Sequence, residues 1–258
     1  MANYEVNPLV LESLVPKGTE LDLWSEKCFV SVVGFRVLDT RILGVSVPFH
    51  RDFEEVNLRF YVRRVVGGEV RRGVVFVKEI VPRRVLAGVA NALYNEKYVA
   101  LPMSHDDRMA EPPWSLAYSW RHDGRWSRIA VVLDGEPYRP GEGSEEAFIT
   151  EHYWGYNTQR DGSTLEYQVE HPRWNVWRAK DTELLCDISA LYGQEFVPFL
   201  SRAPSSCFVA DGSEIVVRRG VSLAFGRADV FVDVGGQHVE RHVPAKNQRI
   251  VEGFVEER

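Results

Sequence analysis

Residues 48–103 read PFHRDFEEVNLRFYVRRVVGGEVRRGVVFVKEIVPRRVLAGVANALYNEKYVALPM, and no other segment says as much about the architecture. Two runs of alternating apolar and polar residues flank Gly67 and Gly68, and such glycine pairs favour a tight turn between antiparallel strands. We therefore predict a long β-hairpin centred near these glycines, followed by a short helix over 84–94.

The two faces of this hairpin depend on its register, because a slip of one residue exchanges the faces of a strand. With a turn centred between the two glycines, Glu79 would face the apolar side, where an ionised carboxylate needs a partner. With a slip of one residue, Glu79 would lie across from Glu55, beside Asn57 and Arg59. The second register predicts a polar cluster inside a barrel, and the sequence leaves both registers open.

Such a cluster would suit a small carboxylated or carbonyl compound. Arg59 would hold an anion with two parallel hydrogen bonds, and a buried glutamate would supply acid or base chemistry. Arg51, directly before the hairpin, is a second candidate for binding the anion. The alternative is a solvated strand face on which glutamate and arginine pair across the strands.

The rest of the chain also predicts strands, because valine is abundant and apolar and polar residues alternate between turn residues. The predicted strands are 27–38, 53–66, 71–81, 114–120, 125–133, 165–171 and 174–179. Turns that separate strand pairs are predicted at Gly67-Gly68, Asp123-Gly124, Asp161-Gly162 and Asp211-Gly212. Helices are few and short: one begins at Asn7, one follows Ser144, and one covers 182–192 before Gly193.

The composition excludes several classes of function. A chain of 258 residues with 45% apolar residues can fill a substantial core, and its net charge of −6 offers no attraction to nucleic acid or anionic membranes. No segment has the roughly 18 consecutive apolar residues that span a bilayer, so we expect a cytoplasmic protein. Cys28, Cys186 and Cys207 are widely spaced and odd in number, and we predict neither a metal nor a cofactor.

Two further polar segments, EHYWGY at 151–156 and EHPRW at 170–174, would converge if the chain turns between them. Histidines beside glutamates suggest acid–base chemistry or a divalent metal, although the spacing matches no zinc motif. The alternative is that they satisfy hydrogen bonds beside packed aromatic rings. We name His152, Tyr156 and His171 as candidate ligand-binding residues.

Several of these segments resemble the YqjF-like family of uncharacterised conserved proteins. The resemblance covers about residues 4–220 and rests on YEVNPLVLESLVPKGTELDLW, FVSVVGFRVLDTRILGVSVPFHRDFEEVNLRFYVRR, VVFVKEIVPRR, LYNEKYVALPM, EHYWGY and EHPRW. This family resembles acetoacetate decarboxylase, which implies a mainly β (α+β) fold, an antiparallel β-barrel or cone with a few short peripheral helices around a cavity. We therefore expect such a domain over 1–222, with closing strands or an appendage over 223–258.

Acetoacetate decarboxylase uses a lysine that forms a Schiff base with a β-keto acid. By resemblance, Glu96 stands at the position of that lysine, and only the neighbouring lysine remains, as Lys97. Glu55 resembles one glutamate of the decarboxylase, whereas the other falls in FVSVVGF, which contains no acid. The resemblance thus implies the fold more strongly than the reaction.

Two functions remain open. In the first, the barrel binds a small anionic or carbonyl ligand at a site formed by Glu55, Asn57, Arg59, Glu79 and Tyr94. In the second, a lyase of the decarboxylase or hydratase type uses Glu55, Glu79 or Glu96 as acid or base, or Lys97 as a displaced nucleophile. We favour the first, because the hallmark lysine is displaced. Exposed strand edges would also permit a homo-oligomer.

Overall fold

The computed structural model describes residues 1–38, 41–42, 45–46, 52–82 and 97–223. Within these ranges the chain is mainly β with a few short helices, as predicted. Some predictions fall outside the described residues: the helix over 84–94, the candidate residues Arg51, Tyr94 and Glu96, and the segment from 224 onward.

In chain order, the strands are β1 (Ala2–Val6), β2 (Glu20–Leu21), β3 (Cys28–Val37), β4 (Arg41–Ile42), β5 (Val45–Ser46), β6 (Phe53–Val66), β7 (Glu69–Val81), β8 (Tyr98–Ala100), β9 (Met103–Arg108), β10 (Ser115–His122), β11 (Arg125–Tyr138), β12 (Trp154–Thr158), β13 (Thr164–Glu170), β14 (Val176–Leu185), β15 (Ser206–Ala210), β16 (Val216–Val217) and β17 (Val221–Leu223). The helices are α1 (Glu145–Thr150), α2 (Ile188–Tyr192) and α3 (Val197–Leu200), with 3-10 turns at Pro8–Val10, Glu12–Leu14 and Gln194–Phe196.

Fifteen of the described strands form one sheet. Its main path of pairing runs β16-β13-β12-β7-β6-β3-β1-β15-β14-β11-β10-β9, while β17, β2 and β8 pair beside this path. Pairing is antiparallel except where β12 and β8 run parallel to β7. Within the described ranges no pairing joins β9 to β16, so the hydrogen-bonded closure expected of a barrel is not seen there.

The hairpin of β6 and β7 turns where the sequence predicts. Val66 pairs with Glu69, so the turn is centred between Gly67 and Gly68, whose φ angles are +58° and +88°. Two successive residues with positive φ define the turn geometry that matches the twist of a hairpin, and glycine adopts it without strain.

A β-bulge then changes the register of this hairpin. Arg59 pairs with Phe76, whereas Leu58 pairs with Lys78, which leaves Val77 as an extra residue on β7. Beyond the bulge Glu79 lies opposite Asn57. Neither register considered from the sequence is therefore correct: the turn is centred, yet Glu79 joins the polar face.

The two faces of β6 differ in what covers them. One face packs into the main hydrophobic core, whose fully buried members include Val30, Val32, Val56, Leu58, Phe60, Val62, Ile80, Trp120 and Phe196. The other face carries Glu55, Asn57, Arg59 and Tyr61. Helix α1 covers the Tyr61 end of that second face, where the Phe148 ring meets Tyr61 edge-on at 5.4 Å between centroids.

One of the predicted helices is confirmed, and two others differ from the structure. Helix α1 begins as predicted, since the Ser144 side chain accepts a hydrogen bond from the backbone of Ala147. The helix over 182–192 is wrong in its first half, which belongs to β14 because pairing with β11 overrides the apolar periodicity. The helix expected at Asn7 forms two 3-10 turns instead. No described helix has the length and apolar character needed to cross a membrane.

Candidate functional site

A cavity of about 1060 Å³ lies against the second face of β6. Its polar lining includes Glu55, Asn57 and Arg59 of β6 and Glu79 of β7. Apolar side chains from the neighbouring strands complete this part of the wall: Val33 and Phe35 on β3, and Val74 and Phe76 on β7. The hairpin thus presents four polar side chains to a concave and largely apolar surface.

Three of these polar residues are buried. Glu55 is 5% exposed, Asn57 1% and Glu79 2%. The Asn57 side-chain amide donates a hydrogen bond of 3.0 Å to Glu55 Oε1, and Glu79 lies directly opposite Asn57 across the strand pair. Two carboxylates therefore flank one amide, and Tyr98, opposite Glu79 on β8, extends the row to a third strand.

Arg59 supplies the positive charge of the cluster. Its Nη2 donates a hydrogen bond of 3.3 Å to the carbonyl of Ile149, near the C-terminal end of α1, where cations are favoured. The same Nη2 also lies 3.9 Å from Met1 Sδ, and a guanidinium carries five N–H donors, more than these two contacts use. Donors therefore remain for an anionic group that enters the cavity.

His152 lies at the edge of the cavity beside an aspartate that the sequence did not suggest. Its Nε2 is 3.4 Å from Oδ2 of Asp22, and Arg72 Nε donates to the same oxygen at 2.6 Å. Burial lowers the pKa of His152 to about 4, although Asp22 opposes this. For Asp22, burial acts to raise the pKa, but the neighbouring imidazole of His152 and the hydrogen bond from Arg72 outweigh it, and the pKa is lowered. A neutral imidazole therefore faces an ionised carboxylate.

His171 lines the same cavity, because the turn at Asp161 and Gly162 brings β13 back along β12. The His171 ring stacks on Trp174 with centroids 4.2 Å apart and an interplanar angle of 16°. Its Nδ1 lies 2.9 Å from the carbonyl oxygen of Pro172, and burial lowers its pKa. The two polar segments therefore do converge, among packed aromatic rings.

A family model matches residues 1–214, which is most of the chain. The chain belongs to the DUF2071 family. This family is described as an uncharacterized conserved protein, which agrees with the resemblance seen in the sequence. A search of curated proteins found no match to this DUF2071 chain.

Solved structures similar to the DUF2071 chain share its fold. Acetoacetate decarboxylase from Legionella pneumophila is 15% identical, with a TM-score of 0.51 over 75% of this chain and 74% of its own. The enduracididine biosynthesis enzyme MppR, complexed with pyruvate, is 13% identical, with a TM-score of 0.53 over 88% and 85%. An acetoacetate decarboxylase-like enzyme from Sphingomonas wittichii RW1 is 12% identical, with a TM-score of 0.52 over 81% and 82%. The acetoacetate decarboxylase-like fold is thereby confirmed, and at such identities the likeness concerns the fold alone.

Other candidate residues of the DUF2071 chain lie away from the cavity. Tyr156 packs on the opposite face of the sheet, where a Cβ on Gly73 would lie 2.6 Å from its ring, and burial raises its pKa. Lys97 is partly buried and is not part of the cavity wall; its backbone carbonyl accepts a hydrogen bond from Glu79 N at 3.2 Å.

The sequence did not predict two residues at this site: Asp22, which contacts the cavity residue His152, and Tyr167, which lines the cavity itself. Asp22 carried no signal, because it meets His152 only after the chain folds. For Tyr167 the sequence held an indirect signal, which is the glycine at position 155. A Cβ on Gly155 would lie 2.1 Å from the Tyr167 ring, so the glycine lets this ring lie across the sheet. Glycine inside a strand often marks such a close approach. In the described part of the chain, no three His, Cys, Asp or Glu side chains are grouped to hold a metal ion.

Proposed function

We propose that the cavity binds a small organic acid or carbonyl compound, with Arg59 as the anchor for its negative charge. The observation that carries this proposal is the grouping of Glu55, Asn57, Arg59 and Glu79 on an apolar cavity wall. Ligand sites typically combine an apolar lining with a few convergent polar groups that fix the orientation of the ligand.

The arrangement of donors and acceptors also favours one kind of polar head group in the ligand. Arg59 and the Asn57 amide are donors and suit a carboxylate or carbonyl oxygen, whereas the Glu55 and Glu79 carboxylates suit a hydroxyl or another donor. A ligand that offers an acceptor and a donor close together, such as a hydroxy acid or the enol of a keto acid, would satisfy both sets. MppR, a structural neighbour, was solved in complex with pyruvate.

Calorimetry with pyruvate, acetoacetate and lactate would test the proposal. We expect Arg59→Gln to weaken binding by about 10- to 100-fold, since a hydrogen bond to a charged group is worth about 1.5–3 kcal/mol. Arg63→Gln is the matched control, because Arg63 lies on the same strand but pairs with the exposed Glu20. Equal affinities for the two variants would contradict the proposal.

A lyase of the decarboxylase or hydratase type is the second candidate. The placement of two buried carboxylates on either side of Asn57 favours it, because such a pair can remove and return a proton next to a ligand carbonyl. Borohydride reduction in the presence of keto acids, followed by intact-mass measurement, separates the two possible chemistries. A stoichiometric adduct on Lys97 would support a displaced Schiff-base lysine, whereas turnover without an adduct would support carboxylate chemistry.

The proposal includes a sheet that curls into a cone or barrel around the cavity. Gly34 on β3 supports this view, since a Cβ there would lie 2.6 Å from the ring of Tyr118 on β10, far along the sheet. A cytoplasmic location and a homo-oligomer remain predictions, which cell fractionation and light scattering would check.

A further inference from the structure

An apolar wall begins directly beside Arg59. Phe76 is paired with Arg59 across the hairpin and lines the cavity together with Val74, two residues along β7. Val74 is paired with Gly155, over which the ring of Tyr167 lies. The wall is thus continuous from β7, across β12, to β13.

The same wall continues toward the edge of the sheet. Val169 on β13 and Val217 on β16 are paired with each other, and both line the cavity. Val217 is 36% exposed, so this end of the wall reaches solvent. From β6 to β13 the wall crosses three strand spacings, or about 14 Å at ~4.8 Å per spacing.

These dimensions exceed what a small keto acid needs. Pyruvate has the bulk of a few water molecules, or roughly 100 Å³ on the ~30 Å³ that each water occupies in the liquid. The cavity measures about 1060 Å³, in the range that holds much larger ligands. A small acid on Arg59 would cover only a small part of the apolar wall, which extends about 14 Å from β6 to β13.

From this geometry we infer that the ligand is an amphipathic organic acid, whose carboxylate binds Arg59 and whose apolar tail lies over Phe76, Val74, Tyr167 and Val169. The inference rests on the proposed function, which supplies the anchor for the carboxylate. The tail is an aromatic ring or an alkyl chain, since either covers such a wall.

Calorimetry with a matched series of acids tests this inference. Pyruvate, phenylpyruvate and 2-oxooctanoate share one head group and differ in the tail, while 1-octanol has a tail without a carboxylate. We expect the two longer acids to bind at least about thirtyfold more tightly than pyruvate, because burial of a few methylene groups suffices for that. The tighter of the two identifies the tail as aromatic or alkyl, and either result supports the inference.

A charged residue in the wall provides the structural test. We expect Val169→Asp to weaken the longer acids at least tenfold more than it weakens pyruvate, because the new charge repels every carboxylate but lies directly under the tail of the longer acids only. Val65→Asp is the matched control, since Val65 lies near the hairpin turn and is 61% exposed. Val169→Thr keeps the shape of the side chain and should shift affinity in the same direction by less, should the aspartate variant fail to fold.

The outcomes separate this inference from the proposed function. If pyruvate binds as tightly as the longer acids and Arg59→Gln weakens all of them, the amphipathic ligand is refuted and the anion site stands. If no acid binds, or if 1-octanol binds as tightly as 2-oxooctanoate, the Arg59 anchor fails and the inference fails with it.

Discussion

Acidification should destabilise the folded chain through His152. Burial holds the pKa of this side chain at about 4, against 6.5 for an ordinary histidine. Between these two values the unfolded chain binds a proton that the folded chain does not, so the free energy of unfolding falls as the pH decreases. The loss begins near pH 6.5 and is complete near pH 4.

The magnitude follows from the gap between the two pKa values. A gap of about 2.5 pKa units, at ~1.4 kcal/mol per unit, corresponds to a loss of about 3–4 kcal/mol over the whole pH range. Such a loss is a large fraction of the roughly 5–15 kcal/mol that stabilises most proteins. The positive charges of Arg72 and Arg59 lower the pKa of His152 further, whereas the carboxylate of Asp22 raises it. The ring of Tyr61 packs against His152, with 4.6 Å between the ring centroids.

Urea unfolding at pH 7.5 and at pH 4.5 would measure this loss. The difference in unfolding free energy between the unmodified chain and His152→Gln should shrink by about 2–3 kcal/mol at the lower pH, because the variant has no imidazole to charge. His122→Gln is the control, since His122 lies near the turn between β10 and β11 with a partly exposed side chain. A difference for His152→Gln that is the same at both pH values would refute the reasoning.

Three further predictions concern stability and are checked by urea unfolding at neutral pH. Ser144→Ala should cost about 1 kcal/mol, because it removes the hydrogen bond that caps α1. Gly155→Ala should cost roughly 1–3 kcal/mol, since its Cβ would collide with Tyr167. Gly141→Ala is the control and should be nearly neutral, because its Cβ would meet no atom of the described residues within 4 Å. Glu166→Gln should cost about 3 kcal/mol, since the buried carboxylate bonds two arginines at 2.8 Å each; a loss below 1 kcal/mol would contradict this.

The sequence predicts much of the fold because alternation and turn chemistry are local. Strand β6 has the predicted bounds of 53–66, and the turn at Gly67 and Gly68 lies where glycine is needed. The bulge at Val77 is invisible in the sequence, since Val74 to Val77 are all apolar and an extra residue there breaks no pattern. The segment 182–185 satisfies both helical and strand patterns, and only its pairing with β11 decides between them.

The candidate site likewise has one part that the sequence predicts and one part that it does not. Glu55, Asn57 and Arg59 share one face of one strand, so their proximity follows from a period of two. The contact of Asp22 with His152 joins distant segments: the backbone N–H of Asp22 donates to the carbonyl of Tyr61 at 3.0 Å, which sets the carboxylate beside the histidine. Sequence pattern alone does not reach contacts that depend on such tertiary placement.

The bulge at Val77 links the fold to the proposed function. Without it, Glu79 would pair with Val56 and face the main apolar core, where a lone carboxylate is strongly destabilising. With it, the same side chain reaches the cavity, opposite Asn57. An apolar residue at position 79 would stabilise either register at lower cost, so folding alone does not account for the combination of bulge and glutamate. Bulges commonly redirect side chains beside functional sites, and this one brings a second carboxylate to the wall that holds Arg59.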